Sequence, residues 1–385
     1  MAEGERKALI VGAGIGGLAT ALALQNAGWK VEVLERSGSL EPPGSGLSLW
    51  PNALAALERL GVLDEVLAAA VPVRGDVLDM EGEPIMLLEQ LKVRRRYGLP
   101  IQMIHRNDLT SILAKRLKVN TVHLGLGVTA FHLGFPRSSV EISTGGRKNA
   151  DLVVGADGLY SVVRGALLGV GAPRSSGTTA LRGVCDATGL DNGMVPWGEM
   201  WGDGGVFGAT PLPGGRVYWY GTLPTKALDP YRSRGWKTAA ASTFAHWHRG
   251  IRSVIEQTPE DAIMAHELFD RKPEPVWSAR SATLVGDAAH PMLPFLGQGG
   301  CQALEDAVAL ADALGQHEAV ADGLIAYEAA RTRRANKIVS QSHTMARLAQ
   351  LDSEKLRKAR NTTMRMLPKS FRLKQLDGVV GYEGR

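Results

Sequence analysis

Cysteine is nearly missing: the 385 residues contain only Cys185 and Cys301, 116 positions apart. A disulfide framework and a thiolate metal site are therefore both excluded, no metal is implied, and the usage suits a reducing compartment, the cytoplasm. Long hydrophobic runs are also lacking. The uncharged stretch Ala8 to Asn26 is interrupted by Gly12, Gly14, Gly16 and Gly17, too often to span a bilayer, and the N-terminal MAEGERK has no signal-peptide pattern. No internal repeat or low-complexity linker is present, and 44% hydrophobic content is enough to bury cores of ordinary domain size.

Acidic residues are missing from one place. Residues 355–374 hold Lys355, Arg357, Lys358, Arg360, Arg365, Lys369, Arg372 and Lys374 with no Asp or Glu. Of 44 Lys and Arg these are eight, so the rest of the chain sets 36 basic groups against 39 acidic ones, a net of −3. The overall +5 and the pI near 9.2 thus belong to a tail, and they argue against a nucleic-acid partner for the body. The tail itself reads as a solvated helix face or as an interaction segment.

What the sequence does have is three strand-and-turn signatures. Lys7 to Gly12 is a short apolar run fit for a buried parallel strand, and Gly12-Ala13-Gly14-Ile15-Gly16-Gly17 follows it into a helical segment over 18–27 that stops at Gly28. Val31 to Leu34 predicts a second strand, ending at Glu35, 18 positions after Gly17. In such a βαβ unit Gly12 permits the tight turn, Gly14 admits a pyrophosphate against backbone, Gly17 lets helix and strand pack, and Glu35 meets a ribose hydroxyl. The motif alone does not choose between NAD and FAD.

Asp151 to Ala156 is a second such strand, followed by Asp157-Gly158, Ser161 and Arg164. Ala282 to Gly286 is a third, followed by Asp287-Ala288-Ala289-His290-Pro291, the run Gly297-Gln298-Gly299-Gly300 and a helix over Cys301–Leu314. Ligands of parallel sheets sit beyond the carboxyl ends of strands, so the turns at Gly17, Asp157 and Asp287 can converge.

GAGIGG, GADGLYSVVR and GDAAHPMLPFLGQGGCQALEDA together resemble the three fingerprints of single-component FAD-dependent monooxygenases of the para-hydroxybenzoate hydroxylase type, in the branch of urate hydroxylase-like and zeaxanthin epoxidase-like enzymes. The resemblance implies an α/β fold: a Rossmann-like FAD domain of the glutathione-reductase kind over 1–173 and 276–350, a mostly antiparallel substrate sheet inserted over 174–275 with part of its layer in 70–105, and a basic helical tail over 351–385. It also implies FAD as cofactor, NAD(P)H and dioxygen as co-substrates, a flavin C4a-hydroperoxide as oxidant and an aromatic or conjugated small molecule as substrate.

Carried over position by position, the resemblance puts Gly14 and Gly17 at the pyrophosphate, Glu35 and Arg36 at the adenosine end, Asp287 at the pyrophosphate and ribityl region, and Arg106 against the flavin. Asp157 serves both FAD and NAD(P)H, and Val128 offers backbone to adenine. The loop Gly44 to Leu49 passes the flavin, its glycines Gly44 and Gly46 permitting close approach. Gly297, Gly299 and Gly300, opening a helix, supply N–H groups toward the reduced flavin. No side chain is singled out as a catalytic base. His290 reads as a hydrogen-bonded structural residue, and relatives with a histidine near Ser48 have no counterpart here.

From Arg174 to Pro275 the pattern changes to alternating strands and turns, and Trp197, Trp201, Phe207, Tyr218, Trp219 and Tyr220 fall within 24 positions. On a strand Tyr218 and Tyr220 share one face and Trp219 takes the other. Arg182, Tyr218 and Tyr220 are the candidates for substrate contact, against the plainer reading that the aromatics only form the sheet's hydrophobic layer. Asp322 to Gln350 predicts a long helix. Two other readings stay open: a flavin oxidoreductase or reductase without oxygen insertion, and a flavin-binding regulatory module whose tail engages a partner.

Overall fold

The structure, a computed structural model, describes residues 6–41, 45–190, 195–231, 233–368 and 376–381. Its centre is a five-stranded parallel sheet in the order Ala282–Leu284, Leu152–Gly155, Lys7–Val11, Lys30–Glu35, Val122–Leu124. The three strands that precede the three signatures are adjacent, so their turns leave the same sheet edge. Burial on both faces is why these strands read as continuous apolar runs.

The helix Ile15–Asn26 follows the first strand, beginning before the predicted residue 18, and it packs against a second helix, Gly299–Gly315. That helix starts two residues ahead of the predicted Cys301. The long helix Val320–Ala349 packs across it in turn.

The second layer is a seven-stranded sheet in the order Met264–Asp270, Arg174–Asp186, Arg216–Pro224, Gly205–Leu212, Gly198–Gly202, Val77–Asp79, Pro84–Met86. Every pair is antiparallel except Gly198–Gly202 with Val77–Asp79. One face carries Leu181, Phe207, Val217 and Trp219, buried against Phe244, Ile251 and Val254 of the helices Trp236–Thr243 and Arg249–Gln257. The expectation of strands and turns throughout 174–275 missed these helices. Trp236–Thr243 is short and Ala-rich, with little period to read, whereas Arg249–Gln257 does carry a helical period in Ile251, Val254 and Ile255. Trp219 stacks on Phe207 with ring centroids 5.5 Å apart and donates its indole N–H to Thr258 Oγ1 at 2.8 Å. The other face, carrying Arg182, Tyr218 and Tyr220, turns toward the parallel sheet's carboxyl edge.

The helix Glu354–Met366 is mostly exposed, as a solvated basic face would be, but some of its arginines anchor it to the body. Arg360 is buried, donates to the carbonyls of Leu348 and Ala349, and lies 5.1 Å over the Trp201 ring. Arg357 pairs with Asp203 at 2.5 Å and Arg365 with Asp79 at 2.7 Å. The positive run looked unpartnered only because its acids lie far away in the chain. Lys369, Arg372 and Lys374 fall outside the described residues, as does Gly44.

Candidate active site

A cavity of about 1700 Å³ runs from the carboxyl edge of the parallel sheet to the open face of the seven-stranded sheet. Backbone and carboxylates make its first end. Gly12 has φ +101°, and a Cβ there would lie 2.5 Å from the Ala156 carbonyl oxygen, so only glycine lets these neighbouring strands close over the turn. Gly14 opens the following helix, and a Cβ there would meet nothing within 4 Å, leaving the space before the helix N-terminus free.

Neither the helix at Ile15 nor that at Gly299 has a side-chain cap or an acidic residue in its first turn. Their free N–H groups therefore face the cavity and favour an anion. By contrast the helix Val162–Leu168 is capped by Ser161 Oγ, which accepts from Arg164 N at 2.9 Å.

Gly17 does not line the cavity. A Cβ there would collide with the Gly12 carbonyl, so this glycine serves the close packing of helix on strand, and Gly16 lines the cavity instead. Glu35 ends its strand at the cavity, its carboxylate accepting from Ala13 N at 2.7 Å and Ser37 N at 2.8 Å. Arg36 and Val128 stand at the same lip.

Asp157 accepts from the Ser161 hydroxyl at 2.5 Å and from Val162 N at 2.7 Å; burial still pushes its carboxyl above the usual range. Arg164, buried below, donates to the carbonyls of Ala288 and Ala289 at 3.0 Å and ties the second signature to the third.

Asp287 has no hydrogen bond to any described residue; its surface is exposed to the cavity, with protein packed around its other sides. Burial raises its pKa against the nearby charges of His290 and Arg106. Arg106 begins the helix Arg106–Lys115, lines the cavity, and its guanidinium likewise makes no hydrogen bond or ion pair among the described residues.

These free groups, two open helix N-termini and a glycine-lined floor are the donors and acceptors a dinucleotide with a pyrophosphate needs. They fit FAD. Gly297, at φ +61°, brings backbone so close to Ser48 and Trp50 that a Cβ would sit 2.7 Å from the Ser48 hydroxyl. Gly299 and Gly300 then open the second helix, with Asp287 Oδ1 just 3.9 Å from a Cβ at 299.

His290 does not face the cavity; its Nε2 lies 2.6 Å from Asp306 Oδ2, both fully buried. Asp306 and Glu305 are held by Arg331, and Glu305 also by Arg334 and Asn52. Burial works to raise Asp306, but the charges of His290 and Arg331 hold it down at about 2.

The substrate end departs from the expectation at Gly46. Residues 46–49 form a strand pairing with Gln102–His105 rather than a loop, and a Cβ at 46 would lie 2.6 Å from Tyr218 Cγ. This glycine makes room for a tyrosine of the facing sheet. Arg182, Tyr218 and Tyr220 all line the cavity, with the two tyrosine rings 5.8 Å apart.

Glu199 was not anticipated. It faces the cavity from the strand Gly198–Gly202, accepts the Tyr220 hydroxyl on Oε1 and receives the Trp201 indole N–H on Oε2 at 3.0 Å. Burial raises its pKa although both donors favour the carboxylate. Its only sequence signal is a lone acid in the aromatic run Trp197-Gly198-Glu199-Met200-Trp201. Met364 and Leu367 of the tail also line the cavity, so the basic segment bounds the site.

The family described as FAD binding domain matches residues 5–342. The aurachin C monooxygenase/isomerase of Stigmatella aurantiaca is 38% identical over 363 residues, covering 93% of this chain and 94% of that protein. The 2-heptyl-3-hydroxy-4(1H)-quinolone synthase of Pseudomonas aeruginosa is 32% identical over 368 residues, 94% and 95% of the two chains. The structure of Klebsiella pneumoniae HpxO with FAD and uric acid superposes with a TM-score of 0.89 at 25% identity, covering 97% of this chain and 96% of that one.

Proposed function

The chain belongs to the FAD-binding-domain family and is an FAD-dependent monooxygenase, and from that premise we propose that it is a cytoplasmic, NAD(P)H-consuming enzyme whose substrate is a planar heteroaromatic of the alkyl-4(1H)-quinolone kind. The observation that carries this reading is the continuity of the cavity. The end suited to FAD opens directly onto the Arg182, Tyr218 and Tyr220 face, so a flat ring resting there meets the cofactor without crossing solvent.

FAD, when bound, supplies the hydride acceptor and the oxygen-activating chemistry that side chains cannot. The chain's own residues do the rest. Glu35 would hold the ribose, Asp287 and Arg106 the pyrophosphate and flavin region, and the N–H groups from Gly299 onward would face negative charge on the flavin ring. Arg36, Val128, Asp157, Gly14, Gly16 and Gly297 complete that surface, with Gly12 and Gly17 shaping it from behind. Residues 1–173 with 276–350 act as the cofactor unit and 174–275 as the substrate unit, helped by 77–86.

Apolar walls exclude water that would intercept the activated oxygen. Phe295, Met345 and Met364, packed against Val77, Trp201 and Val206, provide them and offer an alkyl chain an apolar surface. The quinolone-named relative, aligned over more than nine-tenths of both chains, supports this substrate class.

The test is NAD(P)H oxidation by the yellow holoenzyme. Stimulation by a 2-alkyl-4(1H)-quinolone, with a product one oxygen heavier, supports the reading. Reduction or dehydrogenation of the substrate would replace it with that of an oxidoreductase without oxygen insertion.

A further inference from the structure

One row of the seven-stranded sheet crosses four strands in register. Arg182 is paired with Tyr220, Tyr220 with Gly208, and Gly208 with Glu199, so all four residues present the same face to the cavity. The row has a cationic pole and an acidic pole. At one end Arg182 makes no hydrogen bond or ion pair among the described residues. At the other, each Glu199 oxygen takes a single donor, which leaves each with a second lone pair.

The floor between them is aromatic. Gly208 has no side chain, and the Tyr220 ring lies over it: a Cβ at 208 would be 2.6 Å from the tyrosine hydroxyl. Three strand spacings separate Arg182 from Glu199, roughly 14 Å between Cα atoms. Both side chains stand on the cavity face, with the Tyr220 ring between them as a flat surface for a ligand. The Glu199 backbone is fixed as well, its N–H donating to the Asp76 carbonyl at 2.9 Å.

We propose that Glu199 accepts the ring N–H of a planar vinylogous amide while Arg182 donates to its oxygen, so that the row orients the substrate flat on Tyr220. This rests on the substrate class of the preceding reading. A ligand with a donor at one end of a conjugated system and an acceptor at the other matches the two poles, whereas a ligand with anionic groups at both ends would meet Glu199 with like charge. A charge-assisted hydrogen bond in a cavity of this kind discriminates strongly, because a ligand without the proton leaves the carboxylate under-satisfied.

The experiment is equilibrium binding to the oxidised holoenzyme, with no turnover, of a 2-alkyl-4(1H)-quinolone and its N-methyl derivative. The wild type prefers the N–H ligand by about tenfold or more, the range of one hydrogen bond to a charged group. In Glu199→Gln, which keeps the side chain's shape, that preference collapses to about twofold or less. In Arg182→Met both ligands weaken by a similar factor and the preference survives. Flavin content and melting temperature of each variant establish that it is folded.

An equal N–H preference in wild type and Glu199→Gln overturns the assignment while leaving the oxygenation reading intact. Failure of the N–H ligand to bind the wild type overturns the orientation together with the quinolone class, and the product-mass test then stands alone for the monooxygenase.

Discussion

Tyr220 reaches Glu199 by lying across Gly208. The three residues sit on three adjacent strands, and the hydrogen bond exists because the middle one has no Cβ. Tyr220 is itself buried, with its pKa pushed well above the usual tyrosine value first by burial and then by the Glu199 charge, so its proton stays on the phenol. Glu199 therefore remains an acceptor of that proton's hydrogen bond.

Gly208→Ala places a methyl group where the Tyr220 ring now lies, and the ring cannot keep both its place and its hydrogen bond. Steady-state kinetics with the quinolone should show KM raised about tenfold, the size of a lost hydrogen bond to a charged group, with flavin content unchanged. A wild-type KM would mean that the ring moves freely and orients nothing.

Asp287→Ala removes a carboxylate that no protein donor satisfies and that FAD would. The variant should lose flavin on gel filtration, with its Kd for FAD rising about tenfold or more. The apo-protein should melt at about the same temperature, because no protein hydrogen bond is lost and the carboxylate is exposed to the cavity. Unchanged flavin content after gel filtration would remove Asp287 from the site.

Arg331 joins Glu305 and Asp306 where all three are buried, so Arg331→Ala removes the cation the two acids share and leaves Glu305 to Arg334 and Asp306 to His290. The loss should be about 3–5 kcal/mol by denaturant unfolding, the cost of breaking a buried pair from one side. An effect under about 1 kcal/mol, the range of exposed pairs, would show the cluster to be solvated.

Asp306 also predicts a pH dependence. Its folded pKa, about 2, lies below the ordinary value near 4, so its contribution is present above pH 4 and is lost as pH falls through 2. Between pH 4 and 2 stability should fall with a slope that includes up to about 1.4 kcal/mol per pH unit from this group. Asp306→Asn should flatten the acid limb of the unfolding curve. An unaltered slope would place the lost protons elsewhere.

Arg360→Ala tests the tail helix as a wall of the cavity. Two carbonyl hydrogen bonds and the contact over Trp201 are lost, on the order of 1–3 kcal/mol of local anchoring. Met364 then loosens at the cavity edge and admits water. The variant should oxidise more NAD(P)H per molecule of product than wild type, and an unchanged ratio would show that the tail excludes nothing.

The cofactor end of the site was legible in the sequence because its requirements are local. A turn that needs φ +101° and zero side-chain volume must be glycine, so Gly12 announces itself, and the three signature strands carry their turns to one edge by topology alone. Gly17 was half-legible: its spacing reports close packing, and only the geometry separates packing from ligand contact. Glu199 and Gly208 were not legible, since their relation depends on the register of strands that local spacing does not encode. The same holds for the tail, whose arginines find Asp79 and Asp203 across the fold.

The most direct test of the whole account is turnover of the holoenzyme with NAD(P)H, a 2-alkyl-4(1H)-quinolone and isotopically labelled dioxygen, followed by mass spectrometry of the product. A monooxygenase of this kind places one labelled oxygen atom in each product molecule as NAD(P)H is consumed. A product without label, or a substrate reduced or dehydrogenated instead, would contradict it.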